Sequence, residues 1–106
     1  MATAGDLIKH MPSVFKADDA GDLNVTVMFD LEGDDGGQWG LYIADGKCSV
    51  SEGAVEDPTA TIKMKADDYV KMATGDLNPV SAFMMGQIRV EGDLNTVMKM
   101  QTLFDT

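Results

Sequence analysis

The sequence predicts an α+β fold, with one open sheet of five strands and helices packed on a single face. Three observations lead there. Apolar and polar residues alternate in five short segments, the mark of strands with one dry side. Other segments carry apolar residues at helical spacing. Every expected strand has one apolar and one polar face, so the helices belong together on the dry side.

The elements follow in chain order. Leu7, Ile8, Met11, Val14 and Phe15 have helical spacing, with Asp6 as the expected cap and Pro12 bending or interrupting the helix. Lys16 to Asp22 reads as a polar break. Leu23, Val25, Val27, Phe29 and Leu31 then alternate with polar residues, and Met28 is the one apolar exception between them. The run Glu32 to Gly37 is a turn cluster, after which Trp39, Leu41 and Ile43 form a strand returning antiparallel. Asp45-Gly46 signals a tight hairpin into a short strand over Lys47 to Ser51. Ala60, Ile62 and Met64 alternate in a fourth strand.

Asp67 is the expected cap of a helix ending at Gly75. Asn78-Pro79 starts a second short helix, which ends at Gly86. Ile88 and Val90 mark the fifth strand, and Leu94, Val97, Met98, Met100, Leu103 and Phe104 a last helix. The 106 residues read as one domain, 1–106, long enough to bury a core without cross-links.

Composition excludes several functions. Eight basic residues against 18 acidic ones give a net charge of −10. That argues against nucleic acid as a partner and against docking on an anionic membrane. No apolar run reaches the roughly 18 residues of a membrane span, so no integral membrane association is expected. The start of the chain lacks the features of a signal peptide, and a soluble, cytoplasmic protein is expected.

No known catalytic motif occurs, and no nucleophile–base pair can be named. His10, the one histidine, falls on or near the dry face of the first helix. Cys48, the one cysteine, excludes an internal disulfide and a cysteine-cluster zinc site, and reads as structural. The acidic loop 30–37 lacks calcium-loop spacing. No catalytic residue, metal or cofactor is expected.

The positive signal is apolar. Six of nine methionines (Met64, Met72, Met84, Met85, Met98 and Met100) fall between residues 64 and 100. Methionine adapts its shape to varied neighbours, so the composition suits either a solid if unusual core or an apolar pocket.

The run Gly75-Asp-Leu-Asn-Pro-Val-Ser-Ala-Phe-Met-Met-Gly-Gln-Ile-Arg-Val-Glu-Gly-Asp-Leu94, continuing to Met98, Lys99 and Leu103, resembles the C-terminal signature of the sterol carrier protein 2 domain. The stretches Gly37 to Gly46 and Pro58 to Met64 resemble that family's second and fourth strands, and the likeness runs from about residue 5 to residue 104. It implies a five-stranded mixed sheet with helices on one face, in the order α-β-β-β-β-α-α-β-α. It also implies a hydrophobic tunnel between sheet and helices for fatty acids, fatty acyl-CoA, sterol-like molecules or phospholipids, carried without catalysis. The ending at Thr106 lacks the peroxisomal signal of eukaryotic members, and the surface is more acidic than in animal carriers. Both suit a stand-alone prokaryotic-type member.

Under that resemblance the expected apolar lining is Phe29, Leu31, Trp39, Leu41, Ile43, Met64 and Ile88 from the sheet. Phe83 and Met84 of the short helix and Met98 and Phe104 of the last one should lie opposite them. The expected partner is a small apolar lipid, with transient membrane contact or a homodimer left open. The competing reading is an accessory or dimerisation domain with a closed core that contacts a partner enzyme.

Overall fold

The computed structural model describes residues 3–101 and residue 103. Strands β1 (Val25–Glu32), β2 (Gly37–Ala44), β3 (Lys47–Glu52), β4 (Ala60–Lys65) and β5 (Ile88–Gly92) form one sheet in the order β3-β2-β1-β4-β5. β1 pairs antiparallel with β2 and parallel with β4, while β2–β3 and β4–β5 are antiparallel. The sheet is therefore mixed, and the fold is α+β.

A parallel neighbour cannot be reached by a tight hairpin, so the chain must cross the sheet between β3 and β4. It crosses on the polar face. Val55 of the connection sits over Gly40, where a Cβ would strike its side chain. The Val55 N–H donates to the Met28 Sδ at 3.4 Å. This accounts for Met28, the residue that broke the alternation of β1. The β2–β3 hairpin turns through Asp45 and Gly46, both at positive φ (54° and 72°), as the twist of paired strands demands.

The helices are α1 (Ala4–His10), a 3-10 turn (Met11–Val14), α2 (Ala17–Ala20), α3 (Ala66–Ala73), α4 (Pro79–Met84) and α5 (Leu94–Gln101). Pro12 ends α1 and opens the 3-10 turn, where its missing N–H costs nothing. Thr3, not Asp6, caps α1. The Asp6 N–H donates to Thr3 Oγ1 and the Thr3 N–H to Asp6 Oδ2, each at 3.2 Å, a reciprocal capping box. Asp67 likewise lies inside the first turn of α3, with Lys65 at the cap, and its charge favours the helix start from there. The expected polar break over Lys16 to Asp22 contains one helical turn, α2. Asn78 caps α4, its Oδ1 accepting from the Val80 and Ser81 N–H groups at 2.9 and 3.2 Å.

The core lies between the dry sheet face and these helices. Val27, Phe29, Leu41 and Ile43 are buried beneath Ile8 of α1 and Tyr69 of α3, with Val97, Met100 and Leu103 at the C-terminal side. The Lys16 N–H donates to the Leu103 carbonyl at 2.7 Å, tying the segment after α1 to that end of the chain.

The crossover gives a test. Gly40→Val should lower stability by about 1–3 kcal/mol through overpacking against Val55. Urea unfolding checks it: the midpoint should fall while the slope stays constant.

Candidate functional site

Strand register places the floor of an apolar cavity. Phe29 stands opposite Ile62, and Met64 opposite Ile88, all on the dry face of β1, β4 and β5. Tyr69, Met72 and Ala73 of α3 face them, with Met11 from the 3-10 turn, Pro79 of α4, and Val97 and Met100 of α5. These residues bound a half-open space of about 310 Å³. Four of the walls are methionines, whose unbranched thioether chains re-pack with little strain.

Tyr69 carries the only side-chain N–H or O–H among those lining residues. Its ring meets that of Phe29 edge to face, at 5.8 Å and 78°. Its hydroxyl donates to the Met11 Sδ at 3.5 Å. Burial pushes the phenol up from 10.0 to about 12, because a phenolate would lose its hydration there.

The expected lining residues divide into four groups. Phe29, Met64 and Ile88 stand at the cavity wall. Leu31, Trp39, Leu41 and Ile43 are buried on the same sheet face but do not line the cavity. Trp39 lies against Gly5 of α1, where even a Cβ would press on the indole. Phe83, Met84 and Met98 are 43%, 80% and 59% exposed, outside the cavity wall rather than opposite the sheet. α4 buries Ala82 and sets Pro79 at the cavity; Phe83, one turn after Pro79, stands at the margin of that face and stays partly exposed, while Met84 turns away from it. In α5 the buried positions among the described side chains are Thr96, Val97 and Met100, which turns Met98 outward. Phe104 lies outside the described residues.

Tyr69, Met72, Ala73, Val97 and Met100 are lining residues that the sequence reasoning did not name as site. Their signal was present as i, i+3, i+4 spacing in α3 and i, i+3 spacing in α5. Val80, Phe83, Met84 and Met85, with Leu94 and Met98 on α5, are large apolar residues left exposed.

Polar groups elsewhere are less suggestive. His10 is exposed rather than on a dry face, and accepts at its carbonyl from the Ser13 hydroxyl at 2.6 Å. Cys48 is half-buried on β3, and burial pushes its thiol from 9.0 up to about 11, away from a reactive thiolate. Among the described residues no group of three or more His, Cys, Asp or Glu is placed to hold a metal ion. A polar cleft of about 360 Å³ gathers Lys63, Lys65 and Arg89, but Glu32 and Asp68 line it too, and Lys63 pairs with Glu91 at 3.0 Å. Its charges largely offset one another. Among the described residues no helix is long and apolar enough to cross a membrane.

Comparison with known proteins adds to this geometry. The model of the SCP-2 sterol transfer family matches residues 6–105. Human hydroxysteroid dehydrogenase-like protein 2 is 34% identical over 79 residues, covering 74% of this chain and 19% of that protein. The chain thus spans about a fifth of the length of such curated relatives. Solved structures share the fold, among them the following two. One is a double mutant of the sec-alkyl sulfatase PisA1 of Pseudomonas sp., with a TM-score of 0.89 and 18% identity, covering 99% of this chain and 17% of that one. The other is palmitated SCP2L2 from Aedes aegypti, with a TM-score of 0.76 and 18% identity, covering 92% of this chain and 90% of that one.

Burial of Tyr69 makes stability depend on pH. The folded phenol ionises at about 12 and the unfolded one at 10.0, so its contribution is full below pH 10 and is lost as pH rises toward 12. Urea midpoints measured across that window should fall in the wild type, and fall less steeply in Tyr69→Phe.

Proposed function

The chain belongs to the SCP-2 sterol transfer family, and we propose that it binds and carries small apolar lipids without catalysing a reaction on them. The observation that carries this reading is the apolar cavity between sheet and helices. Its volume, about 310 Å³, lies at the small end of the roughly 300–1,000 Å³ typical of small-molecule sites. That favours one slender chain over a two-chain phospholipid. An Aedes aegypti protein of the same fold is described as palmitated, which supports an acyl guest.

The driving force is removal of apolar surface from water. A chain burying a few hundred Å² gains roughly 5–10 kcal/mol before ordering costs. Among the described residues the walls offer a single side-chain hydroxyl, so chain fit matters more than polar recognition. The net charge of −10 disfavours polyanionic head groups, including that of acyl-CoA. The competing accessory-domain reading requires a closed core, and the cavity speaks against it.

Exposed Val80, Phe83, Met84 and Met98 form the part of the roof that meets a bilayer in this reading. They would contact a neutral membrane during transfer, because the acidic surface is repelled by an anionic one. Their role is in exchange, whereas Met72 and Met100 hold the guest.

Three experiments test this reading, and the last two separate these roles. Native mass spectrometry and lipid extraction of the purified protein should reveal a co-purified acyl chain; Met72→Trp, which fills the cavity, should weaken binding of the apolar fluorophore diphenylhexatriene at least about tenfold with the fold intact. Met84→Asp should leave that equilibrium affinity unchanged and slow transfer between zwitterionic vesicles. Unchanged binding by folded Met72→Trp would reject the cavity as the site.

A further inference from the structure

Among the described lining residues the cavity has one polar side chain, and it is poorly used. Tyr69 is 7% exposed, and its hydroxyl lies among methionine, aliphatic and phenyl groups. A buried phenol O–H ordinarily finds an oxygen or nitrogen acceptor. Here the acceptor is the Met11 thioether, at 3.5 Å, and sulfur in that form accepts only weakly. Met11 lines the same space. The hydroxyl is therefore a donor that exchanges a weak partner for a better one when a guest brings an oxygen within reach. The raised phenol keeps its proton throughout the neutral range.

We propose that the Tyr69 hydroxyl anchors the guest, and that the cavity selects apolar molecules bearing a neutral oxygen acceptor, an alcohol or a carbonyl. This deepens the lipid-binding reading above and rests on it. Charge decides against a carboxylate at this position. No Lys, Arg or His lines the cavity, and a single O–H donor cannot offset the cost of burying an ionised head. A pure hydrocarbon would fit but would leave Tyr69 with its thioether. The Tyr69–Met11 contact thus separates oxygenated from plain hydrocarbon guests of one size.

The test uses diphenylhexatriene, a hydrocarbon fluorophore, displaced by decanol or decanoate at neutral pH. Wild type and Tyr69→Phe should bind the fluorophore equally, since it makes no polar contact. Decanol should compete about fivefold less well against Tyr69→Phe, the loss expected of one neutral hydrogen bond. In the wild type, decanoate should compete less well than decanol. Met11→Leu, which removes the thioether acceptor, should bind decanol at least as tightly as wild type. Adding decanol to wild type should move the tyrosine Raman doublet toward stronger donation, and adding the fluorophore should not, a readout that needs no variant. Equal decanol binding by wild type and Tyr69→Phe, an unmoved doublet, or preference for decanoate would overturn the anchor while leaving the cavity reading intact. Failure of the folded wild type to bind the fluorophore or decanol would overturn both.

Discussion

The pairing of β1 with β4 is the constraint on which the rest depends. Because the two run parallel, Phe29 falls beside Ile62 and Leu31 beside Met64, and one dry surface is continuous across the sheet centre. Because parallel strands need a long connection, the chain after β3 must leave the edge and cross to the far side of β1. It does so on the polar face, with Val55 over Gly40, which leaves the dry face to the helices. β5 then adds to β4 and brings Ile88 beside Met64, completing the cavity floor. A one-residue slip of β4 against β1 would send Ile62 and Met64 to the wrong side together.

Much of this was legible in the sequence, and the limits are instructive. A strand has two faces, so alternation in Leu23 to Leu31 or Ala60 to Met64 admits one burial pattern. Met28 alone broke it, and the break marked the crossover rather than noise. Short helices are less determinate. α4 reads Pro-Val-Ser-Ala-Phe-Met over less than two turns, and its apolar residues lie on every side. Burying Ala82 and Pro79 or burying Phe83 and Met84 satisfies its pattern equally. The choice is made by what fits against β5, a tertiary fact absent from the local sequence. Trp39 shows a second limit: alternation puts it on the dry face, but not beneath α1 and against Gly5.

The same limit governs the site. The expectation of an apolar lining rests on the family resemblance and the inward sheet positions, while the methionines by themselves suit a solid core as well; methionines do form four of the walls, though Met11 and Met72 stand there instead of Met84 and Met98. Composition speaks to the kind of surface an interior presents. It does not speak to the phase of a two-turn helix. The caps of α3 say nothing of Tyr69, whose spacing to Met72 and Ala73 carries the inward face of the helix.

Energetics link the space to its use. A closed, dry cavity of 310 Å³ would cost about 7 kcal/mol at roughly 24 cal/mol per Å³. Small domains hold only about 5–15 kcal/mol in all. A chain of this size cannot keep such a volume sealed and empty, so the opening to solvent and the yielding methionine walls are parts of one solution. Water entering the space meets mostly apolar walls, with one side-chain hydroxyl among the described residues, and gains little by staying. An apolar guest restores the missing dispersion contacts on every wall. Binding and folding thus draw on the same unfilled contacts, and any guest that occupies the cavity in the folded state alone stabilises that state by mass action.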